Sequence, residues 1–251
     1  MLKKGFSGCA LKWIGIITMF IDHVAAALIC RILIAWQYSE ELGSAETYRV
    51  LFQLQDFMRK IGRLAFPIFC FFLVEGFLRT RNIRKYMLRM LIFVFVSEIP
   101  FDLAFSGQFI YIKYQSVMLT LLIGLVTMWG CDKVAKRFHE DIYMILIGYI
   151  LCVFLGALLA QGLKTDYGAN GILSIMALYF CRQDKWLQLF AGAITFLWEP
   201  YALLAFPLLI FYNQTPGKRM KYFFYLFYPL HLLLICGVCA YWEILRISVI
   251  L

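Results

Sequence analysis

Two adjacent residues, Asp22 and His23, sit in the middle of a long apolar run, LKWIGIITMFIDHVAAALICRILIAW. An imidazole with an unperturbed pKa of about 6.5 can accept a proton, donate one or attack a carbonyl near neutral pH. A carboxylate at a helix centre costs about 3 kcal/mol on insertion scales, and each Leu, Ile or Phe returns about 0.5. The run can therefore insert into a membrane, but Asp22 is penalised there. Ionisable groups kept at that depth face a bundle interior and mark functional sites. Counted from Lys12, His23 lies about 16 Å along a helix, near the midplane. Asp22 and His23 point about 100° apart and meet different neighbours. Ala26 and Ala27 fall on the face of His23 one turn on, leaving room for a ligand or another helix. The structural alternative is that each polar side chain is bonded to a polar group of a neighbouring helix.

Other polar groups point to the same region. In FVFVSEIPFDLAF, Glu98 and Asp102 are four residues apart and share a helix face, with Pro100 freeing a carbonyl between them. Asp102 reads as an acid facing outer water at a kinked helix end, Glu98 as a deeper one that assists His23 together with Asp22. Gln115 in YQSVMLT, Asp166 and Tyr167 in LKTDYGANGIL, and Glu199 in LWEP lie at predicted outer turns. With Arg63 and Asp102 they outline a polar vestibule leading to His23 and are the substrate-binding candidates. Arg63 is either an interface anchor or a partner for Asp22 or Glu98. Glu75 is either a partner for the following arginines or part of a pocket rim. His231, just after Pro229 in FYLFYPLHLLLI, is the second-choice histidine, placed in the cytoplasmic half; His139 in KRFHED reads as a solvated loop residue. The eight cysteines are scattered, and the CGVC pair, Cys236 and Cys239, reads as helix packing rather than redox chemistry. No metal site is expected.

These residues need elements that can hold them in lipid. The chain is 63% hydrophobic and 16% charged over 251 residues, and its apolar runs recur along the whole length. A bilayer core of about 30 Å takes roughly 20 apolar residues per helix, and only helices or closed barrels satisfy their backbone within it. The expected fold is all-α, a polytopic transmembrane bundle forming one domain over residues 1–251. About nine membrane segments are expected, near 11–36, 61–78, 86–105, 116–129, 142–160, 170–181, 186–198, 201–212 and 229–247. The seventh and eighth are short enough to be tilted or to form a re-entrant hairpin. The first run lacks the features of a cleaved signal peptide and reads as helix one. The stretch YRVLFQLQDFMRKIGR, within the mixed-charge connection from Arg31 to Arg63 that also holds Glu40, Glu41, Glu46 and Asp56, reads as an amphipathic helix on the outer surface.

Cations gather in alternate connections: Lys3, Lys4 and Lys12; Arg79, Arg81, Arg84 and Lys85; Lys133, Lys136 and Arg137; Lys218, Arg219 and Lys221. By the positive-inside rule this puts the N-terminus in the cytoplasm. The net charge of +9 is accounted for by these loops and by attraction to anionic lipid, so no nucleic-acid partner is expected.

The blocks LKWIGIITMFIDHVAAAL, IGRLAFPIFCFFLVEGFLRTRNIRKYMLRMLIFVFVSEIPFDLAF, QSVMLTLLIGL, DYGANGIL and YLFYPLHLLLI resemble, in order, those of the TraX family of polytopic membrane proteins. The resemblance implies membrane acetylation. The family is named for a conjugation protein that acetylates the N-terminal amine of pilin subunits, with acetyl-CoA as the expected donor. A more distant similarity to transmembrane acyltransferases, in which an intramembrane His is central, points the same way. Under this reading an amine acceptor, a peptide or pilin end or another small molecule, arrives from outside. The donor's phosphates lie near Arg79, Arg81, Arg84, Lys85, Lys218 and Arg219, with Glu75 and His231 nearby. Asp22, Glu98 or Glu199 would orient the His23 ring or hold the acceptor's ammonium. Two other classes remain: a proton-coupled transporter using the same Asp, His and Glu residues, and a passive assembly scaffold.

Overall fold

The computed structural model describes residues 5–37, 44–218 and 220–249, with only the backbone of Lys221 and Tyr222. Among these the chain is helical throughout, with two isolated bridges and no strand, as the apolar runs require. Lys3, Lys4, Glu40, Glu41 and Arg219 lie outside the described residues.

Five helical stretches are long and apolar enough to cross a bilayer: Gly8–Gln37, Ala45–Arg79, Val117–Arg137, Ile142–Gly162 and Phe223–Tyr241. They match the expected segments at 11–36, 61–78, 116–129, 142–160 and 229–247. The segment expected at 86–105 is α5 (Ile83–Ser106), 24 residues long and interrupted by Arg89, Glu98 and Asp102. The remaining three are short, as their sequences imply. They are α8 (Gly168–Phe180), α9 (Lys185–Thr195) and a 3-10 turn Pro200–Leu204 continued by α10 (Ala205–Ile210).

The chain divides into two compact units. One comprises Met1–Ile68, Val96–Tyr111 and Glu199–Leu251; the other comprises Phe69–Phe95 and Ile112–Trp198. In the second unit α6 (Val117–Arg137), α7 (Ile142–Gly162) and α8 pack on one another. Lipid supplies no hydrophobic drive between helices, so they gain contact by bringing small residues together. A Cβ on Gly156 would stand 2.3 Å from Thr127 Oγ1, and one on Gly148 2.4 Å from Val134 Cγ1. Thr127 is held in place because its hydroxyl donates to Ile123 O at 2.9 Å. On its other side α7 exposes Ile147, Ile150, Phe154 and Leu158, a surface suited to acyl chains.

The first unit holds Asp22, His23, Arg31, Glu98, Asp102 and His231. Here α1 (Gly8–His23) runs through a π-turn (Val24–Ile29) into α2 (Cys30–Gln37) as one helix. It packs on α3 (Ala45–Gly62) and α11 (Lys221–Tyr241). The amphipathic stretch expected before Arg63 is α3, capped by the Ser44 hydroxyl, which accepts from Thr47 N. Phe52, Leu54 and Phe57 are exposed on it, while its other side lies along α1 and the π-turn. The last span starts eight residues before the expected 229, because Pro229 stands inside α11 rather than at its head. Membrane helices tolerate such a proline where neighbours satisfy the freed carbonyl.

Arg31, fully buried, closes this unit. Its Nε donates to Ile247 O at 2.8 Å, Nη1 to Ala27 O at 2.9 Å and to Ala104 O, and Nη2 to Leu103 O at 3.3 Å. The segment after α11 returns past Gly107, whose φ of +73° and missing Cβ let Leu245 O approach, and Val249 N donates to Phe105 O at 2.8 Å.

Two outcomes are expected in detergent-solubilised thermal unfolding. Gly156→Ala lowers stability by about 1 to 3 kcal/mol through overpacking, whereas Gly162→Ala, with nothing within 4 Å of its Cβ position, changes it little. Arg31→Lys costs about 3 kcal/mol, because an ammonium cannot reach the same set of carbonyls and leaves some unpaired; equal stability of the two proteins would refute that role.

Candidate active site

The two intramembrane histidines meet. His23, the last residue of α1, and His231, in mid-α11, are 8% and 4% exposed, and His23 Nδ1 lies 2.6 Å from His231 Nε2. Sequence reading placed His231 in a cytoplasmic half because it took Pro229 as the helix start. With α11 beginning at Lys221, His231 lies about 15 Å into the helix, deep enough to reach His23. The signal that could have revealed this is the aromatic run FFYLFY, which continues the apolar stretch upstream of the proline. His231 Nδ1 in turn faces Phe227 O, one turn back, at 2.7 Å.

Aromatic rings enclose the pair. Phe105 and Tyr228 stand edge-on to His23 at centroid distances of 5.6 and 5.8 Å, Tyr228 and Phe20 edge-on to His231 at 5.7 and 6.1 Å, and Phe227 lies against His231 at 4.9 Å. Such a wall excludes water and strengthens the electrostatics of whatever enters. The π-turn begins at the residue after His23; π-turns are frequent at functional sites. Ala25 and Ala27, not Ala26, are the fully buried alanines there, and α3 packs along the turn. The room the small side chains leave is taken by a helix.

Asp22 points to the other wall, as its 100° offset requires. Its Oδ2 pairs with Arg59 Nη1 of α3 at 2.6 Å, and Arg63 faces Glu199 at 3.5 Å. The approach is close: a Cβ on Gly62 would stand 2.2 Å from Asp22 Cβ. His23 Nδ1 faces the other histidine, while Asp22 Oδ2 accepts from Arg59. Glu98 is half-buried on α5. Asp102 is 3% exposed and does not face outer water. The helix continues a further turn to Ser106, and the following loop folds back so that Tyr111 N donates to Asp102 Oδ2 at 2.7 Å.

The remaining candidates form separate groups. Gln115, Asp166 and Tyr167 belong to the second unit. There Asp166 N donates to Gln115 O at 3.0 Å, the Tyr114 hydroxyl to the Asp166 carboxylate, and Tyr167 lies edge-on to Trp198. In the same unit Arg79 pairs with Glu75 at 2.5 Å, and Arg81, Arg84 and Lys85 are exposed around the turn into α5. Lys218, also exposed, follows a glycine packed on Ser7 and Cys9 in the first unit. Among the described residues no group of three or more His, Cys, Asp or Glu could hold a metal ion.

A double-mutant cycle with Asp22→Asn and Arg59→Gln should give a coupling of about 1 to 3 kcal/mol, between the exposed and the buried case. Additivity of the two single changes in unfolding free energy would show that the pair contributes nothing.

A family model described as TraX protein matches residues 7–239. The chain is also 27% identical, over an alignment of 258 positions that covers 92% of it and 95% of the relative, to the probable fimbrial assembly protein FimC, serogroup H1, of Dichelobacter nodosus. No solved structure matches.

Proposed function

Since the chain belongs to the TraX protein family, we propose that it is a multi-pass acyltransferase of the bacterial cytoplasmic membrane working in pilus or fimbria assembly. It moves an acyl group, in the first instance acetyl, from cytoplasmic acyl-CoA to an amine at the outer face, such as the N-terminus of a peptide or pilin. The name of the Dichelobacter nodosus relative supports the assembly context. The observation that carries the chemistry is the hydrogen-bonded imidazole pair, buried in aromatic side chains at the middle of two apolar helices. A neutral imidazole there can take the proton that an attacking amine must lose.

The loop cations support the expected orientation, with the N-terminus inside. Within the second unit Arg79, Arg81, Arg84 and Lys85 supply charge suited to the donor's phosphates. Asp22, engaged by Arg59, holds α3 against α1 and supports the site from behind. The proton-coupled transporter is the competing class, because a buried histidine pair can also pass protons.

Purified protein in lipid nanodiscs, given labelled acetyl-CoA and a peptide with a free N-terminus, should transfer the label. His23→Ala should lower kcat by about 10² or more. Full activity of that variant would overturn the role of His23. Transfer to no amine, together with substrate uptake into donor-free vesicles, would favour the transporter.

A further inference from the structure

The imidazole pair has a direction. We infer that His231 is a positioning residue that locks His23 into the tautomer bearing its proton on Nδ1, leaving His23 Nε2 as the one lone pair offered to a substrate. What that lone pair does rests on the acyl-transfer reading above; which atom carries it follows from hydrogen-bond bookkeeping.

The ring planes are within 7° of each other and the centroids 4.9 Å apart, while the facing nitrogens are 2.6 Å apart. That centroid distance is as long as the N···N contact and two ring radii allow. Both nitrogens therefore lie on the line between the ring centres, and the rings sit edge to edge in nearly one plane. This is an in-line hydrogen bond, not a face-to-face stack, so one nitrogen holds a proton and the other a lone pair.

Which is which is decided at the far end. His231 Nδ1 is 2.7 Å from the carbonyl oxygen of Phe227. A carbonyl only accepts, so His231 Nδ1 carries a hydrogen and donates it. In neutral His231 the Nε2 atom is then a lone pair, and it accepts from His23 Nδ1–H. Neutral His23 in turn has its lone pair on Nε2. Among the described residues nothing else hydrogen-bonds to that ring. A further proton can enter the pair only at His23 Nε2, since a second proton between the facing nitrogens would set two N–H groups against each other at 2.6 Å.

The chain Phe227 C=O, His231, His23 thus does with a backbone carbonyl what a carboxylate does in an acid–histidine pair: it fixes tautomer and ring orientation. It brings no negative charge into the membrane. In the transfer step the neutral amine forms its N–C bond to the thioester carbonyl as the C–S bond breaks. The proton leaving the amine nitrogen goes to His23 Nε2 and from there to the departing thiolate, so the products are the amide and the free thiol, and His23 returns to its starting tautomer.

The test uses the full-length protein in nanodiscs, labelled with 15N-histidine, with His139 assigned by replacement. The 15N shifts should show His23 neutral with its proton on Nδ1 in the unaltered protein. His231→Gln, whose amide oxygen can accept at the position of Nε2, should keep that tautomer. His231→Leu, of similar bulk but unable to accept, should lose it, with kcat down about 10²-fold and the KM for acetyl-CoA little changed, and His231→Gln should restore at least a tenth of the lost rate. An Nε2–H tautomer in the unaltered protein, or a His231→Leu protein that keeps both tautomer and kcat, overturns the assignment. The expected tautomers in a protein that transfers no acetyl group would uphold the relay while refuting the enzyme reading.

Discussion

A fully buried guanidinium with no carboxylate beside it among the described residues is the constraint around which the first unit is arranged. Removing a charge from water costs several kcal/mol, and the usual compensation is an acid. Arg31 instead collects carbonyls from three places: its own helix at Ala27, the end of α5 at Leu103 and Ala104, and the returning C-terminal segment at Ile247. Helix ends and turns are where unpaired carbonyls occur, so a five-donor fork gathers ends. It fixes α5 and α11 relative to α1, and those helices bring Phe105 and His231 to His23.

The same economy governs the histidines. Within hydrocarbon, every polar group must find its partner inside the protein. Five ionisable side chains of the first unit solve this in three ways: Asp22 with Arg59 as an ion pair, Arg31 with neutral carbonyls, and His23 with His231 as a hydrogen-bonded pair resting on one more carbonyl. The imidazole pair keeps a binding capacity in reserve at His23 Nε2. That distinguishes a reactive polar group from a structural one at the same depth.

Much of this was legible in the residues. Long apolar runs gave the helices, the helix period gave the separation of Asp22 from His23, and the pattern before Arg63 gave α3. The blocks that resemble the TraX family gave membership, later matched over residues 7–239. What could not be read is pairing between remote segments. His23 and His231 are 208 residues apart, and no periodicity connects them. Pro229 was read by the rule for soluble helices, which hid how deep His231 lies. Asp102 was placed in water because a proline two residues earlier looked like an ending. Arg31 is named only as the start of a connection, although it lies within the segment expected near 11–36. The acceptor for a charge of that kind is main chain, which leaves no mark in a sequence.

The π-turn after His23 has a consequence of phase. His23 and Arg31 are eight residues apart, which in a regular α-helix of about 3.6 residues per turn would set them about 80° apart around the axis. A π-turn absorbs one extra residue, so the spacing acts as seven, close to two whole turns, and both side chains address α5 and α11. Helix one therefore behaves as a vernier with the alanines as its scale. Exchanging one small residue for another there leaves the reading unchanged, whereas adding or removing one slips the lower half of the helix by a full division and parts the guanidinium from the imidazole's side.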